Sequence, residues 1–438
     1  MRYLLALVAL LALVLLSGCG KSDGRTELVI QRFFGACQAE FGALADPGKA
    51  QGECGIITAM INQFEAANPD IKVVENTVFW PGYDQLTAQL AANGPPDVVT
   101  MHSSAIPDFE ARNLLEPLDE DLAAVGISPG QFTAAARAGV TVDGKTMGLP
   151  IDVWAPLWHL NMNLFRAAGL VANGKPVLPG STEEFYAQAA QFRQRTGKPY
   201  LIQVTNKDFA GPMRIFYAWM LQQGAPLFRD ARHSNFDSAE GRHALDFMKA
   251  LYQRGDSARN LDYAGAVSAF LKGEGGVLVD GTWMVGQFDA AASNEAGPLY
   301  RGYAVRPFPF LFQGRRVALV DGHNWVMPRN AKRTSKTREA ARRFLKYFAA
   351  NDFQWARTGH FPAYSAVIDS EEWQQLPHRG DIAEITQVGE PLPKYVRRQS
   401  PIEFIVGEEV AAAYTGAKPV NQALSDMQRR ANEILQSY

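Results

Sequence analysis

The 438-residue chain carries a formal net charge of −2 with no basic excess and no long acidic run, which argues against a nucleic-acid partner and against a disordered charged tail. Its length exceeds what one hydrophobic core usually supports, so two domains are expected. Rings are abundant, with 8 Trp, 14 Tyr and 25 Phe against only 20% charged residues, and some of them must fill cores.

At the N-terminus, Arg2 precedes an unbroken apolar run over residues 4–16, followed by Ser17-Gly18-Cys19. A run of this length spans about 20 Å as a helix, short of the roughly 30 Å hydrocarbon core, so residues 1–18 read as a signal peptide rather than a membrane span. Leu16-Ser17-Gly18-Cys19 resembles a bacterial lipobox, in which the cysteine is acylated and becomes the mature N-terminus. More than one acyl chain on Cys19 would give a stable anchor, with residues 19–26 as a small, polar tether. Removing Cys19 from the count of three cysteines leaves one pair, Cys37 and Cys54, expected to be bridged in an oxidising compartment. Closing that loop is worth roughly 3 kcal/mol by the chain-entropy model and pins a Gly-rich segment.

Beyond the tether, Leu28-Val29-Ile30 predicts a strand. Ile56, Ile57, Met60, Ile61 and Phe64 recur at helical spacing until Asn68-Pro69 stops the pattern. A strand over 71–74, a helix over 83–92 and a strand over 97–101 follow, an alternation that predicts a mostly parallel sheet flanked by helices. After Met147-Gly148-Leu149-Pro150 the character changes, and helices over 182–196 and 212–223 with a buried strand over 275–279 predict a second α/β lobe. Amphipathic helices are expected over 338–350, with Phe344, Leu345 and Phe348 inward, and over 421–437.

No Gly-x-Ser-x-Gly elbow, His-Glu-x-x-His helix or Walker loop occurs. Gly273-Glu274-Gly275-Gly276 reads as a turn entering a strand, and Asp119-Glu120-Asp121 as a solvated surface near a helix start. The seven histidines lack metal-ligand spacing. Accordingly no catalytic set, no cofactor and no metal are expected.

Several segments, in order, resemble the extracellular solute-binding proteins of bacterial ATP-driven sugar importers, the maltose-binding-protein-like group. They are Asn68-Pro69-Asp70-Ile71-Lys72-Val73, Trp80-Pro81-Gly82-Tyr83-Asp84-Gln85-Leu86, Pro96-Asp97-Val98-Val99, Gly148-Leu149-Pro150-Ile151, Leu160-Asn161-Met162-Asn163-Leu164-Phe165 and Val279-Asp280-Gly281-Thr282-Trp283. The chain departs from the group's usual Tyr-Asn-Lys at Leu160-Asn161-Met162, and the Cys37–Cys54 insertion is not general in it. The resemblance implies a two-lobed periplasmic-binding-protein-like α/β fold with a ligand cleft between lobes. Crossings are implied near 149–153, 319–322 and 361–365, with a first lobe of 27–149 plus 321–364 and a second of 150–320 plus 365–438. It also implies a monomer in the periplasm or cell envelope that delivers a carbohydrate to the importer's transmembrane subunits.

Such a cargo offers hydroxyls at its rim and C–H groups on its faces, so it needs flat rings plus fixed polar groups. Trp80, Trp154 and Trp283 are the candidate faces; His102, Ser103, Ser104, Asp152, His323 and Asn324 are the candidate hydrogen-bonding groups. Asp152 lies in an apolar segment where an unpaired charge is costly, so its partner is either a ligand hydroxyl pair or the protein itself. Hinge closure is the expected mechanism. Other classes fit the same residues: a secreted carbohydrate-active hydrolase with two carboxylates, an adhesive lipoprotein, or a binder of a non-sugar solute using Arg397, Arg398 and Glu403.

Overall fold

The computed structural model describes residues 24–206 and 209–437. The signal run, Cys19 and the first part of the tether lie outside the described residues. Among the described residues, no helix is long and apolar enough to cross a membrane.

Two sheets carry the two lobes. The first has strand order Ile71–Thr77, Thr26–Arg32, Val98–His102, His323–Val326, Leu149–Pro150. The second runs Leu201–Ile202, Val277–Gly281, Pro156–Asn161, Tyr303–Pro307. The βαβ alternation of the first hundred residues makes parallel pairings, Thr26 opposite Ile71 and Ile30 opposite Val98. Both sheets are nevertheless mixed rather than mostly parallel. The strands that enter straight from a crossing, His323–Val326 and Pro156–Asn161, run against their neighbours.

Two large apolar sets gather around the two sheets, the first extending across the crossings to Leu157 and Val305 of the second sheet. In the first, helix Gly52–Ala67 turns Ile56, Ile57, Met60, Ile61 and Phe64 inward and stops before Pro69, which cannot continue it. Phe64 meets Phe344 of helix Ser335–Ala350 edge-on at 5.2 Å, and Trp325 from the sheet lies 5.0 and 5.1 Å from Phe344 and Phe348. In the second, Phe185 of helix Thr182–Thr196 packs on Tyr200 at 5.2 Å and on Trp158 at 5.7 Å. That helix starts where the Ser181 side chain accepts from the Glu184 N–H, and ends at Gly197. Cys37 and Cys54 are bridged, tying the preceding loop to the first turn of helix Gly52–Ala67.

The crossings run side by side. Asp152–Val153 pairs with Phe361–Pro362, and Trp154 bridges Asp321 with reciprocal backbone hydrogen bonds of 2.8 and 3.1 Å. They approach so closely at Gly322 that a Cβ there would meet the Asp152 carbonyl at 2.5 Å. Past the third crossing the chain straps both lobes before the closing helices: Trp373 faces Phe361, and His378 faces Tyr303 of the second sheet at 4.8 Å. The reading of 119–121 as a solvated run at a helix start holds for exposed Asp119 and Glu120 and is corrected for Asp121. Asp121 is fully buried and accepts from Arg338 and Arg342, because helix Asp119–Ala124 docks against helix Ser335–Ala350.

Candidate functional site

Where the first and second crossings meet the ends of the sheets, the predicted site residues separate into two groups. Trp80, His102, Trp154, Trp283 and His323 form one continuous ring cluster. Trp154 stands edge-on to Trp283 at 5.5 Å and to His102 at 6.2 Å, and His102 lies 4.9 Å from His323. Phe33 stacks on His102 at 5.0 Å, and Phe34 meets His323 edge-on at 5.0 Å. These rings come from both lobes and from the crossings between them.

His102 is locked in one tautomer. Trp80 Nε1 donates to its Nε2 at 3.3 Å, so its Nδ1–H donates to the Tyr83 hydroxyl at 2.6 Å, which also accepts the His102 backbone N–H. Burial, reinforced by His323 and Arg214, holds its pKa well below the ordinary imidazole value, so the ring is neutral. Trp80 thereby presents an indole that is 42% exposed, anchored at its nitrogen.

The second group is occupied by the protein itself. Asp152, whose partner was open between a ligand hydroxyl pair and the protein itself, accepts the His323 backbone N–H at 3.0 Å, the His323 Nδ1–H at 2.8 Å and the Trp355 Nε1–H at 2.6 Å. Burial pushes its pKa up, and these donors together with neighbouring His360 offset part of that cost. Asn324 donates to the Met101 carbonyl at 3.1 Å and to Ser103 Oγ at 3.0 Å, and is only 1% exposed. Ser104 donates to Asp321 at 2.7 Å. Asp152, Asn324, Ser103 and Ser104 thus hold the crossings in place one layer behind the rings.

Glu403, already a candidate for a non-sugar solute, and several residues outside the sequence reading complete the site. Arg214, from helix Ala210–Gln222, places its guanidinium carbon 4.5 Å from the Trp154 ring, 5.3 Å from Trp283 and 6.0 Å from Trp80. Its Nε and the Trp154 Nε1 are buried with no hydrogen-bond partner among the described residues. Trp283 Nε1 donates to the Tyr263 hydroxyl at 3.0 Å. Glu403 has its carboxyl pushed up to about 8 by burial and by Asp321, with Arg214 opposing. Glu53 is likewise raised to about 8, by burial and then by the charges of Asp152 and Asp280, although its side chain remains 25% exposed. Buried His360 stacks under Trp355 at 5.4 Å and lies 6.4 Å from Trp283.

Arg397 and Arg398, the other cationic candidates, lie in a separate groove of about 410 Å³ with Lys394, Tyr395 and Asp143. Its lining shares no residue with the ring cluster, and Arg398 is 3.6 Å from Asp108.

A model of the family described as bacterial extracellular solute-binding protein matches residues 55–355. Among relatives, the sn-glycerol-3-phosphate-binding periplasmic protein of Escherichia coli is 22% identical over 89% of this chain and 91% of its own. Among solved structures, the GacH receptor of Streptomyces glaucescens, determined unliganded and with acarbose, superposes with a TM-score of 0.78 at 17% identity, covering 94% of this chain and 99% of the other. A maltose-bound protein of T. maritima superposes with a TM-score of 0.76 at 19% identity, covering 93% and 100%.

Proposed function

The chain belongs to the bacterial extracellular solute-binding protein family, and from that premise we propose that it captures a sugar or oligosaccharide between its lobes and hands it unchanged to the transmembrane subunits of an ATP-driven importer. One observation carries this reading: three indoles from separate elements of both lobes converge on Arg214, beside two buried donors that have no partner among the described residues. Flat faces suit the C–H surfaces of a sugar ring, and unpartnered N–H groups suit its oxygens. The carbohydrates named for the structural neighbours, acarbose and maltose, support the same class.

In this reading the empty lobes are separable and a cargo touching both stabilises the closed form, because only contacts made better in one state shift the balance. Acylation at Cys19 holds the monomer at the membrane surface of the periplasm or cell envelope. His102 and His323, neutral and oriented, line the pocket; Ser103, Ser104, Asp152 and Asn324 position them.

The test is a thermal-shift panel of mono- and oligosaccharides, amino acids and sn-glycerol 3-phosphate, followed by calorimetry on each hit. A stabilising sugar whose effect disappears in a folded Trp283→Ala variant supports the proposal, and stabilisation by amino acids alone overturns it. A second reading, a phosphorylated polyol, is favoured by the cation among the rings and by the glycerol-phosphate-binding relative; the same panel separates the two.

A further inference from the structure

At the floor of the ring cluster, one potential ligand atom each from Glu53, His323 and His360 lie within 4.8 Å of one another. The three residues come from the start of helix Gly52–Ala67, the second crossing and the third crossing. Hydrogen bonding fixes which imidazole nitrogens are free. As a carboxylate Asp152 accepts in the 2.8 Å contact, so His323 Nδ1 is the donor and the neutral ring carries its lone pair on Nε2. The Thr358 hydroxyl donates to the Trp355 carbonyl at 2.7 Å, so in its 2.6 Å contact with His360 it accepts from Nδ1–H. His360 Nε2 therefore also carries a lone pair. It is fully buried, has no hydrogen-bond partner among the described residues, and faces Glu53 Oε1 at 3.5 Å and Asp152 Oδ2 at 3.8 Å.

One ligand atom from each of two imidazoles and a carboxylate, all within 4.8 Å of one another, repel when unprotonated unless a cation sits among them. We propose that Glu53, His323 and His360 form a binding site for a divalent first-row transition ion, with zinc as the reference occupant. The donor set is the two-His, one-carboxylate combination that zinc accepts while keeping a position open. The Glu53–His360 separation of 3.5 Å is close to the roughly 3.4 Å edge between ligands of a tetrahedral ion with bonds of about 2.1 Å. Behind it stands the outer layer such sites use: Asp152 orients His323 and Thr358 orients His360. Trp154 and Trp283 lie 6.3 and 6.4 Å from His323 and His360, so the ion sits beside the ring wall, where its open position is available to water or to a cargo hydroxyl. The rival occupant of the same point is a proton on Glu53.

The experiment is a calorimetric titration of chelator-stripped protein with zinc sulfate, paralleled by cobalt(II) absorbance, on the wild type and on Glu53→Gln, His360→Gln and His233→Ala. The last removes the exposed His233–Asp230 pair, the obvious adventitious site. The site predicts one equivalent bound, visible cobalt bands, at least 30-fold weaker binding in Glu53→Gln and His360→Gln, and no change in His233→Ala. Should His360→Gln fail to fold, Glu53→Gln decides alone, since that side chain is partly exposed. Binding that survives Glu53→Gln, is lost in His233→Ala, or is absent at 100-fold excess zinc overturns the proposal, the last outcome assigning the point to a proton. None of these readouts needs the cargo, so they are independent of the proposed function.

Discussion

Two neighbouring polar regions of this molecule are built on opposite principles. In the knot behind the rings, Asp152, Asp321, Ser104 and Asn324 have protein partners at 2.6 to 3.1 Å. In the ring wall a few ångströms away, Trp154 Nε1 and Arg214 Nε are buried without one among the described residues. Both regions lie where the crossings meet, yet only the second leaves hydrogen-bonding capacity for something that is not the protein. Satisfied buried polar groups define a scaffold; unsatisfied ones beside exposed apolar faces define a place for a ligand.

If that division is right, substitutions in the two regions separate stability from binding. The largest effect belongs to the knot. Asp152→Ala strands three donors and should cost about 3–5 kcal/mol in denaturant unfolding, whatever cargo is present; a loss below about 1 kcal/mol would place Asp152 outside the scaffold. Next, Trp283→Ala should leave the unfolding midpoint nearly unchanged while weakening cargo binding by about 30-fold, roughly 2 kcal/mol, as read by calorimetry. Arg214→Met sharpens the nature of the cargo. A neutral sugar should lose about tenfold in affinity, and a phosphorylated polyol much more, because a charge-assisted contact disappears.

The smallest effect is a slope with pH. Glu403 is raised in the fold to about 8, against about 4.5 unfolded, so the folded chain holds a proton that the unfolded chain releases. Its contribution is fully present below pH 4.5 and fades as pH rises towards 8. The melting temperature of the wild type should therefore fall by a few degrees between pH 5 and 8.5 more than that of Glu403→Gln, which has no proton to lose. Parallel curves would show that the fold does not hold a proton on Glu403.

Much of the fold is legible along the chain because its determinants are local. The spacing of Ile56, Ile57, Met60, Ile61 and Phe64, the stop at Pro69 and the inward face of Phe344, Leu345 and Phe348 each lie within one element, and the elements appear there. The three tryptophans are legible for a related reason, since each ends or follows a strand-like segment. Strand direction is not local. The antiparallel entry of His323–Val326 and Pro156–Asn161 follows from where the crossings deliver the chain. The same holds for partners: nothing near Asp152 announces Trp355, and nothing near Asp121 announces Arg338. Glu53, His323 and His360 lack metal-ligand spacing because they meet only when three separate segments run together. Arg214 did leave a signal, as the one charge in the apolar helix Ala210–Gln222, between Met213 and Ile215. A lone cation in an otherwise apolar helix needs a reason, and here the reason is the ring wall.

The account stands or falls on whether the indoles hold an unaltered cargo. The direct measurement is a tryptophan-fluorescence titration with the sugar that emerges from the thermal screen, with the sugar recovered and analysed afterwards. A saturable change at one equivalent, abolished in Trp283→Ala, with the sugar recovered intact, is the predicted result. A fluorescence change indifferent to Trp283, or recovery of cleaved sugar, would contradict it.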